Sequence, residues 1–169
     1  MDVFYGGAIQ GAQNRRDRAD VHQSIIGKIK ELGYHVLTEH TTGKNYDEAI
    51  KRLEESIGPL PKEDLERRRY VRDKMIQFVE GDVVAAVFEI SVPSLGTGIE
   101  FAHAYLRPRM GLKEVPILGL YQKEYWPNKL STMIRGISKE SISSVTIYDY
   151  QNVEDARAYI DKFFSNIKR

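Results

Sequence analysis

The sequence predicts an α/β protein built on one doubly wound sheet of five parallel strands, with helices on both faces. Short apolar runs alternate with longer segments in which apolar residues recur at helical spacing. One run, at residues 82–88, is apolar almost throughout, as expected of a parallel strand that is covered on both faces. Strand–helix alternation forms such sheets through right-handed crossovers, so we expect a flavodoxin-like or Rossmann-like arrangement.

Each predicted element has its own signal in the chain. The five apolar runs predicted as strands lie at residues 2–6, 34–38, 82–88, 115–121 and 144–148. A first helix is predicted over residues 15–32, where Val21, Ile25 and Ile29 recur at helical spacing and Gly33 follows as a stop. Further helices are expected at residues 46–56, 62–80 and 153–167. The first of these lies in an irregular stretch, residues 40–61, that suggests an insertion or a lid.

Length and composition exclude several classes of protein. The 169 residues suit one domain, and they contain no internal repeat or interdomain linker. With 25 Lys and Arg against 24 Asp and Glu, the chain lacks the basic surplus that attracts a nucleic acid polymer or an anionic membrane. The absence of cysteine excludes disulfides, cysteine-bound metals and thiol nucleophiles. No apolar run approaches the roughly 18 residues of a membrane span, and the first residues do not resemble a signal peptide. We therefore expect a cytoplasmic enzyme or binding domain.

Open α/β sheets bind ligands at the carboxyl ends of their strands, which directs attention to residues 6–11, residues 89–100 and the region of Ser131. Residues 6–11 are rich in glycine, so their backbone could approach a phosphate or a sugar. They do not form a P-loop, because Ala12 and Gln13 stand where Lys and Ser or Thr are required. Ala8 also departs from the dinucleotide fingerprint. A tight strand-to-helix turn is the other interpretation of this loop.

Residues 91–100 connect a buried strand to a predicted helix through a proline and two glycines. Glu100 is expected in the first turn of that helix, where exposed N–H groups favour an ionised carboxylate. Nucleophilic attack on a glycosidic carbon requires such a carboxylate beside a ligand crevice. The spacing Thr97-x-x-Glu100 also fits a capping box, in which Glu100 is only structural, and spacing alone favours that interpretation. The four histidines have no metal-ligand spacing.

Four segments of the chain resemble one known group of enzymes. Residues 90–104, Ile-Ser-Val-Pro-Ser-Leu-Gly-Thr-Gly-Ile-Glu-Phe-Ala-His-Ala, resemble the signature of the nucleoside 2-deoxyribosyltransferase superfamily. Residues 4–11, 36–40 and 130–136 agree in the same order, so the resemblance spans nearly the whole chain. Within the superfamily the chain is most similar to the 2′-deoxynucleoside 5′-phosphate N-hydrolase family. The motifs Pro-Ser-Leu-Gly-x-Gly-x-Glu and Ser-x-Met-Ile-Arg-Gly outweigh the capping-box interpretation of Glu100.

The resemblance implies a hydrolase that cleaves 2′-deoxynucleoside 5′-monophosphates into the free base and 2-deoxyribose 5-phosphate. Glu100 would be the nucleophile that forms a covalent glycosyl intermediate, and Asp73 would assist departure of the base by donating a proton. Retaining glycosidases hold two such carboxyl groups about 5 Å apart, and we expect the same of this pair. No metal or organic cofactor is implied. The alternatives are a nucleoside 2-deoxyribosyltransferase, which exchanges bases, and a non-catalytic nucleotide-binding module.

The resemblance also implies a substrate-binding set and a homodimer. The loop from Gly7 to Gln13 would line the sugar-phosphate, and residues 131–133 would reach into the partner subunit's site. The full set is Gly7, Ala8, Ile9, Gln10, Gly11, Ala12, Gln13, His22, His40, Ser94, Gly96, Ser131, Thr132 and Met133. The family usually has Ser and Arg at the positions of Ala8 and Gln10, where they hold the 5′-phosphate. The basic residues that could compensate are Arg15, Arg16 and Arg135.

Asp73 lies opposite the apolar stripe of its helix, so we expect it at the surface or facing the site.

Overall fold

Five parallel strands form one open sheet. The structure is a computed structural model and describes residues 1–8, 15–123, 125, 129–137 and 142–167. The strands are β1 (Asp2–Gly7), β2 (His35–Val36), β3 (Ala85–Glu89), β4 (Ile117–Gln122) and β5 (Val145–Tyr150). They lie in the order β2-β1-β3-β4-β5, and every neighbouring pair is parallel. The predicted doubly wound α/β fold is confirmed.

Within the described residues, six α-helices connect and follow the strands. They are α1 (Arg15–Glu31), α2 (Tyr46–Ile57), α3 (Asp64–Glu80), α4 (Leu95–Leu106), α5 (Thr132–Arg135) and α6 (Val153–Ser165). The side chains of Asn45, Ser94 and Asn152 cap α2, α4 and α6, because each accepts a hydrogen bond from the first turn of its helix. None of the helices in the described ranges is both long and apolar enough to cross a membrane.

Helices cover both faces of the sheet, as predicted. On one face, Ile25 and Ile29 of α1 and Ile160 of α6 pack against strand residues such as Val87. The other face packs against α3 and α4, chiefly through side chains of three residues: Val79, Phe101 and Ala104. The stretch predicted as an insertion or lid contains a 3-10 turn, Glu39–Thr42, and the helix α2, which packs against α3.

Two strands are shorter than the apolar pattern predicts, and each has a physical reason. Residues 34–38 form only the two-residue strand β2, because the Thr38 side chain replaces the ladder beyond it. The Thr38 hydroxyl accepts a hydrogen bond from the Tyr5 N–H (3.0 Å) and donates one to the Tyr5 carbonyl. Before β3, the Val83 N–H donates to the Gly81 carbonyl at 2.9 Å, and this turn delays the strand to Ala85.

The register of the sheet determines which loops meet at its carboxyl edge. Gly7 of β1 lies beside Glu89 of β3, and Glu89 lies beside Leu120 of β4. Within the sheet, β2 lies on one side of β1, and β3 lies on the other side of β1. The point between β1 and β3 is therefore a switch in strand order, where α/β sheets form their ligand crevice.

Candidate active site

Glu100 lies on α4, the helix that follows β3 at the carboxyl edge. Ser94 is the N-cap of this helix, and its hydroxyl accepts a hydrogen bond from the Thr97 N–H at 3.3 Å. Thr97 itself is buried within the helix. The capping-box interpretation is therefore wrong, and so is the expectation that Glu100 lies in the first helical turn. Among the described residues, none donates a hydrogen bond to the Glu100 carboxyl group.

The Glu100 carboxyl group lies over the end of β1 because Gly6 has no side chain. A Cβ atom built on Gly6 would lie 3.1 Å from Glu100 Oε2 and 2.5 Å from Phe88 Cδ1. Burial against this surface raises the pKa of Glu100 from 4.5 to about 7, since an apolar environment disfavours the charged form. A carboxyl group with this pKa is present in both protonation states near neutral pH, and its carboxylate form strongly attracts positive charge that develops beside it.

The glycine-rich loop begins above a buried histidine. A Cβ atom on Gly7 would lie 2.5 Å from His22 Cε1, so only glycine lets the backbone pass over this ring. His22 Nε2 lies 3.4 Å from the Ala8 carbonyl oxygen, and His22 Nδ1 lies 2.6 Å from the Tyr5 hydroxyl. Because a carbonyl oxygen only accepts, we place the imidazole hydrogen on Nε2, and the Tyr5 hydroxyl then donates to Nδ1. Burial lowers the pKa of His22, which favours this neutral form.

His22 is only 1% exposed, so its side chain supports the loop from below. Its predicted role as a substrate-lining residue stays a prediction, as do the roles of Gly7 and Ala8. The remaining loop residues predicted to bind substrate are Ile9, Gln10, Gly11, Ala12 and Gln13, and they lie outside the described part of the chain. The side chains of Arg15 and Arg16 also lie outside it.

His40 lies close to the same region, in the 3-10 turn that follows β2. Its Nδ1 atom is buried and has no hydrogen-bond partner within the described ranges. Burial and the neighbouring His22 lower the pKa of His40 to about 4, so the ring is neutral at physiological pH. A buried ring nitrogen without a partner is a hydrogen-bonding group that a ligand could satisfy.

Asp73 is at the surface of α3, as its place in the helical pattern predicts. Its carboxylate accepts hydrogen bonds from Arg72 Nε at 2.8 Å and from Arg72 Nη2 at 2.6 Å. It lines a shallow groove between α3 and α4 that also includes Ile99, the residue that precedes Glu100. The two predicted catalytic carboxyl groups thus lie on neighbouring helices, and a separation of about 5 Å between them stays a prediction.

A second, apolar groove of about 640 Å³ lies along α4 and includes several of the predicted binding residues. Residues of two segments line it, at 90–105 and 129–137, and these include Ser94, Ser131 and Met133. Ser131 caps the short helix α5 by accepting a hydrogen bond from the Met133 N–H at 3.3 Å. Gly96 is exposed beside Ser94, and Thr132 is exposed beside Ser131. Leu95 and Met133 are 92% and 83% exposed, an unusual exposure for large apolar side chains.

The sequence did not reveal two sets of charged contacts near the crevice. Arg135, considered as a phosphate ligand, donates to both carboxylate oxygens of Asp149 at 2.8 and 3.1 Å, so its guanidinium is already paired. Below the crevice, Arg18 and Glu89 form a buried ion pair. The position of Glu89 at the end of an apolar strand is the signal that could have revealed this pair, because a buried charge requires a partner. Within the described ranges, no group of three His, Asp or Glu residues could hold a metal ion.

The fold and the site together define an α/β protein with a partly buried carboxyl group near the switch in strand order at the carboxyl edge of its sheet, the edge at which such sheets bind ligands. No protein-family model matches the chain. A protein of Thermofilum pendens named "Putative 2'-deoxynucleoside 5'-phosphate N-hydrolase 1" is 31% identical over 161 residues, which are 95% of this chain and 93% of the relative. The chain belongs to the 2′-deoxynucleoside 5′-phosphate N-hydrolase family, and the resemblance seen in the sequence is confirmed.

Proposed function

We propose that the protein hydrolyses the N-glycosidic bond of 2′-deoxynucleoside 5′-monophosphates and releases the free base and 2-deoxyribose 5-phosphate. Membership of the family and the name of the relative support the reaction class. The observation that carries the proposal is the Glu100 carboxyl group, which lies partly buried over Gly6 at the carboxyl edge and has no hydrogen-bond partner among the described residues.

In the proposed reaction, the Glu100 carboxylate attacks the anomeric carbon of the deoxyribose. The bond between that carbon and the base breaks, its electron pair goes to the base, and Asp73 donates a proton to the departing base. The deoxyribosyl group is then held as an ester of Glu100. Water attacks the same carbon, the Asp73 carboxylate accepts the water proton, and the Glu100 carboxylate is released. No cofactor takes part in these steps.

The burial of Glu100 suits this chemistry. The transition state carries positive charge on the sugar, and a carboxylate stabilises it more strongly in a site that excludes water. Substrate must meet the ionised form, and with a pKa of about 7 half of the free protein carries it near neutral pH. We therefore expect the acidic limb of the pH profile of kcat/KM to have its midpoint at about pH 7. Ionisation of Glu100 would produce this limb.

We further propose a cytoplasmic homodimer in which the Ser131–Met133 segment reaches the partner's site. The exposure of Leu95 and Met133, on the groove beside the predicted site, supports a contact that covers them. Sedimentation of the wild-type protein should show a dimer. Leu95→Asp should shift it to a monomer, because it would bury a charge in an apolar contact. An unchanged dimer in this variant would place the interface elsewhere.

The test of the reaction is incubation with each 2′-deoxynucleoside 5′-monophosphate, followed by chromatography of the free base. Wild-type protein should release base, and Glu100→Gln, which has nearly the same shape, should not. The matched control is Glu55→Gln, which changes an exposed carboxylate of α2 and should leave the rate unchanged. Base release that survives Glu100→Gln would refute the mechanism. An excess of a second base distinguishes hydrolysis from base exchange, because exchange would give a new nucleotide.

A further inference from the structure

Arg18 and Glu89 form an ion pair that is sealed from solvent beneath the crevice. Arg18 Nη2 lies 2.8 Å from Glu89 Oε1, and the two side chains are 4% and 0% exposed. The same Glu89 oxygen accepts hydrogen bonds from the Tyr150 hydroxyl at 3.0 Å and from the Ser91 hydroxyl. Arg18 also donates to Gln122 Oε1 at 2.6 Å and to the Tyr150 hydroxyl at 3.1 Å.

This ion pair joins the start of α1 to the end of β3, where the chain turns toward Glu100. Arg18 lies in the first turns of α1, directly after the glycine-rich loop. Glu89 is the last residue of β3, and the chain from Glu89 leads to Ser94 and into α4, which carries Glu100. The Ser91 hydroxyl also accepts a hydrogen bond from the Gln122 N–H at 2.7 Å, so the second loop is tied to the end of β4 as well.

A buried ion pair is a poor means of stabilising a core. Removing two charges from water costs several kcal/mol each, and apolar side chains of similar size are often as stable. The cost is not fully offset here, because Arg18 Nε and Glu89 Oε2 are both buried and have no hydrogen-bond partner in the described part of the chain. Burial alone would lower the pKa of Arg18, yet the neighbouring Glu89 holds it above its ordinary value, so the guanidinium stays charged. The ion pair fixes the relative orientation of the two segments that carry it, because the hydrogen bonds of a guanidinium are directional. An apolar contact would not fix that orientation.

We propose that Arg18 and Glu89 are positioning residues that hold the start of α1 and the 90–94 loop in one fixed relation, so that Glu100 meets the anomeric carbon of bound substrate. This inference rests on the proposed function. Both side chains are buried, so the pair acts through α1 and the 90–94 loop. Positioning of this kind contributes mainly to kcat, since a small misplacement of reacting groups slows the reaction far more than it weakens binding.

Another buried arginine provides a matched control. Arg107 is 3% exposed and donates to the backbone carbonyls of Val79 (2.6 Å), Gly81 (3.1 Å) and Lys113 (2.8 Å). These residues precede β3 and β4, at the opposite edge of the sheet from the proposed site. Arg107→Met therefore removes a buried, fully bonded arginine and should lower stability without changing the chemistry of the folded protein.

The experiment compares the double variant Arg18→Met/Glu89→Gln with Arg107→Met and wild type. The double variant removes both charges together and keeps an oxygen that can accept from Tyr150 and Ser91, so we expect a thermal midpoint close to that of wild type. We expect kcat for base release to fall about 100-fold, while the affinity for the nucleotide changes less than about fivefold. Amide hydrogen exchange should increase at residues 90–98 in the double variant and not in Arg107→Met.

Each outcome decides the question. A folded double variant with wild-type kcat would overturn the inference, and so would an equal loss of kcat in Arg107→Met. If the double variant does not fold, Arg18→Lys is tested instead, because it keeps the positive charge but loses the planar guanidinium that bonds several acceptors at once. A fall of kcat in folded Arg18→Lys supports positioning, whereas an unchanged kcat refutes it. If wild-type protein releases no base, the proposed function fails, and exchange at residues 90–98 still tests whether the pair holds the loop.

Discussion

Replacing Glu100 by glutamine should make the protein more stable at alkaline pH and leave its stability almost unchanged in acid. Burial raises the pKa of Glu100 from 4.5 to about 7, so above pH 4.5 the unfolded chain loses a proton that the folded chain keeps. A group with a raised folded pKa gives its full stability below the unfolded pKa, and that stability is lost as the pH rises to the folded pKa. Glutamine has a similar shape and no charge, so the variant avoids this loss.

The two pKa values, 4.5 and about 7, set the magnitude of the effect. Each pH unit between them changes the free energy of unfolding by about 1.4 kcal/mol for one proton, and the whole interval amounts to about 3 kcal/mol. Glu100 is partly exposed, and solvent screening makes this value an upper bound. We expect the stability gain of Glu100→Gln to grow from near zero at about pH 4 to between about 1 and 3 kcal/mol at about pH 8.

Urea denaturation at several pH values, followed by circular dichroism, measures this difference directly. Glu55→Gln is the control, because it removes an exposed carboxylate and should show no such growth with pH. A gain that is the same at every pH would show that shape, and not charge, distinguishes the variant. A Glu100→Gln protein that is less stable than wild type at about pH 8 would refute the reasoning, since it would mean that the folded protein stabilises the carboxylate.

Three further predictions concern the surroundings of Glu100. Gly7→Ala should lower the free energy of unfolding by about 1–3 kcal/mol, measured by urea denaturation, because the new methyl group displaces the His22 ring. An unchanged stability would mean that the ring moves freely. Ser94→Ala should cost about 1 kcal/mol, because the Thr97 N–H loses its cap; no loss would assign the helix start to another group. Tyr5→Phe should lower stability by about 1–3 kcal/mol, since the buried His22 Nδ1 loses its donor, and a neutral result would contradict the hydrogen bond.

The sequence predicts what depends on local pattern. The strands and long helices follow from apolar periodicity, and the position of the site follows from the rule that ligands bind at the carboxyl edge. The pattern overestimates the length of β2. Nothing in the order of residues reveals that the Thr38 side chain takes the place of the backbone hydrogen bonds to Tyr5. It also misplaces the start of α4: both Ser94 and Thr97 can cap a helix, and only the backbone conformation decides that Ser94 does so.

The electrostatics of the site depend on contacts between residues far apart in the chain. Glu100 owes its raised pKa to its burial in the folded chain, beside Gly6 of β1, and no local motif encodes that burial. Likewise, the end of β3 shows a charged residue, but its partner Arg18 is known only once α1 is packed on the sheet. A motif can thus suggest a candidate nucleophile, whereas its protonation and the contacts around it require the folded chain.

The formation of a covalent bond at Glu100 is the central claim. Rapid mixing of wild-type protein with a 2′-deoxynucleoside 5′-monophosphate, acid quench, proteolysis and mass spectrometry of the peptides would test it most directly. We expect the peptide that contains Glu100 to carry one 2-deoxyribose 5-phosphate group at short times, together with a burst of free base. Release of base at full rate while that peptide stays unmodified, and another residue or none carries the sugar, would contradict the assignment of Glu100 as nucleophile.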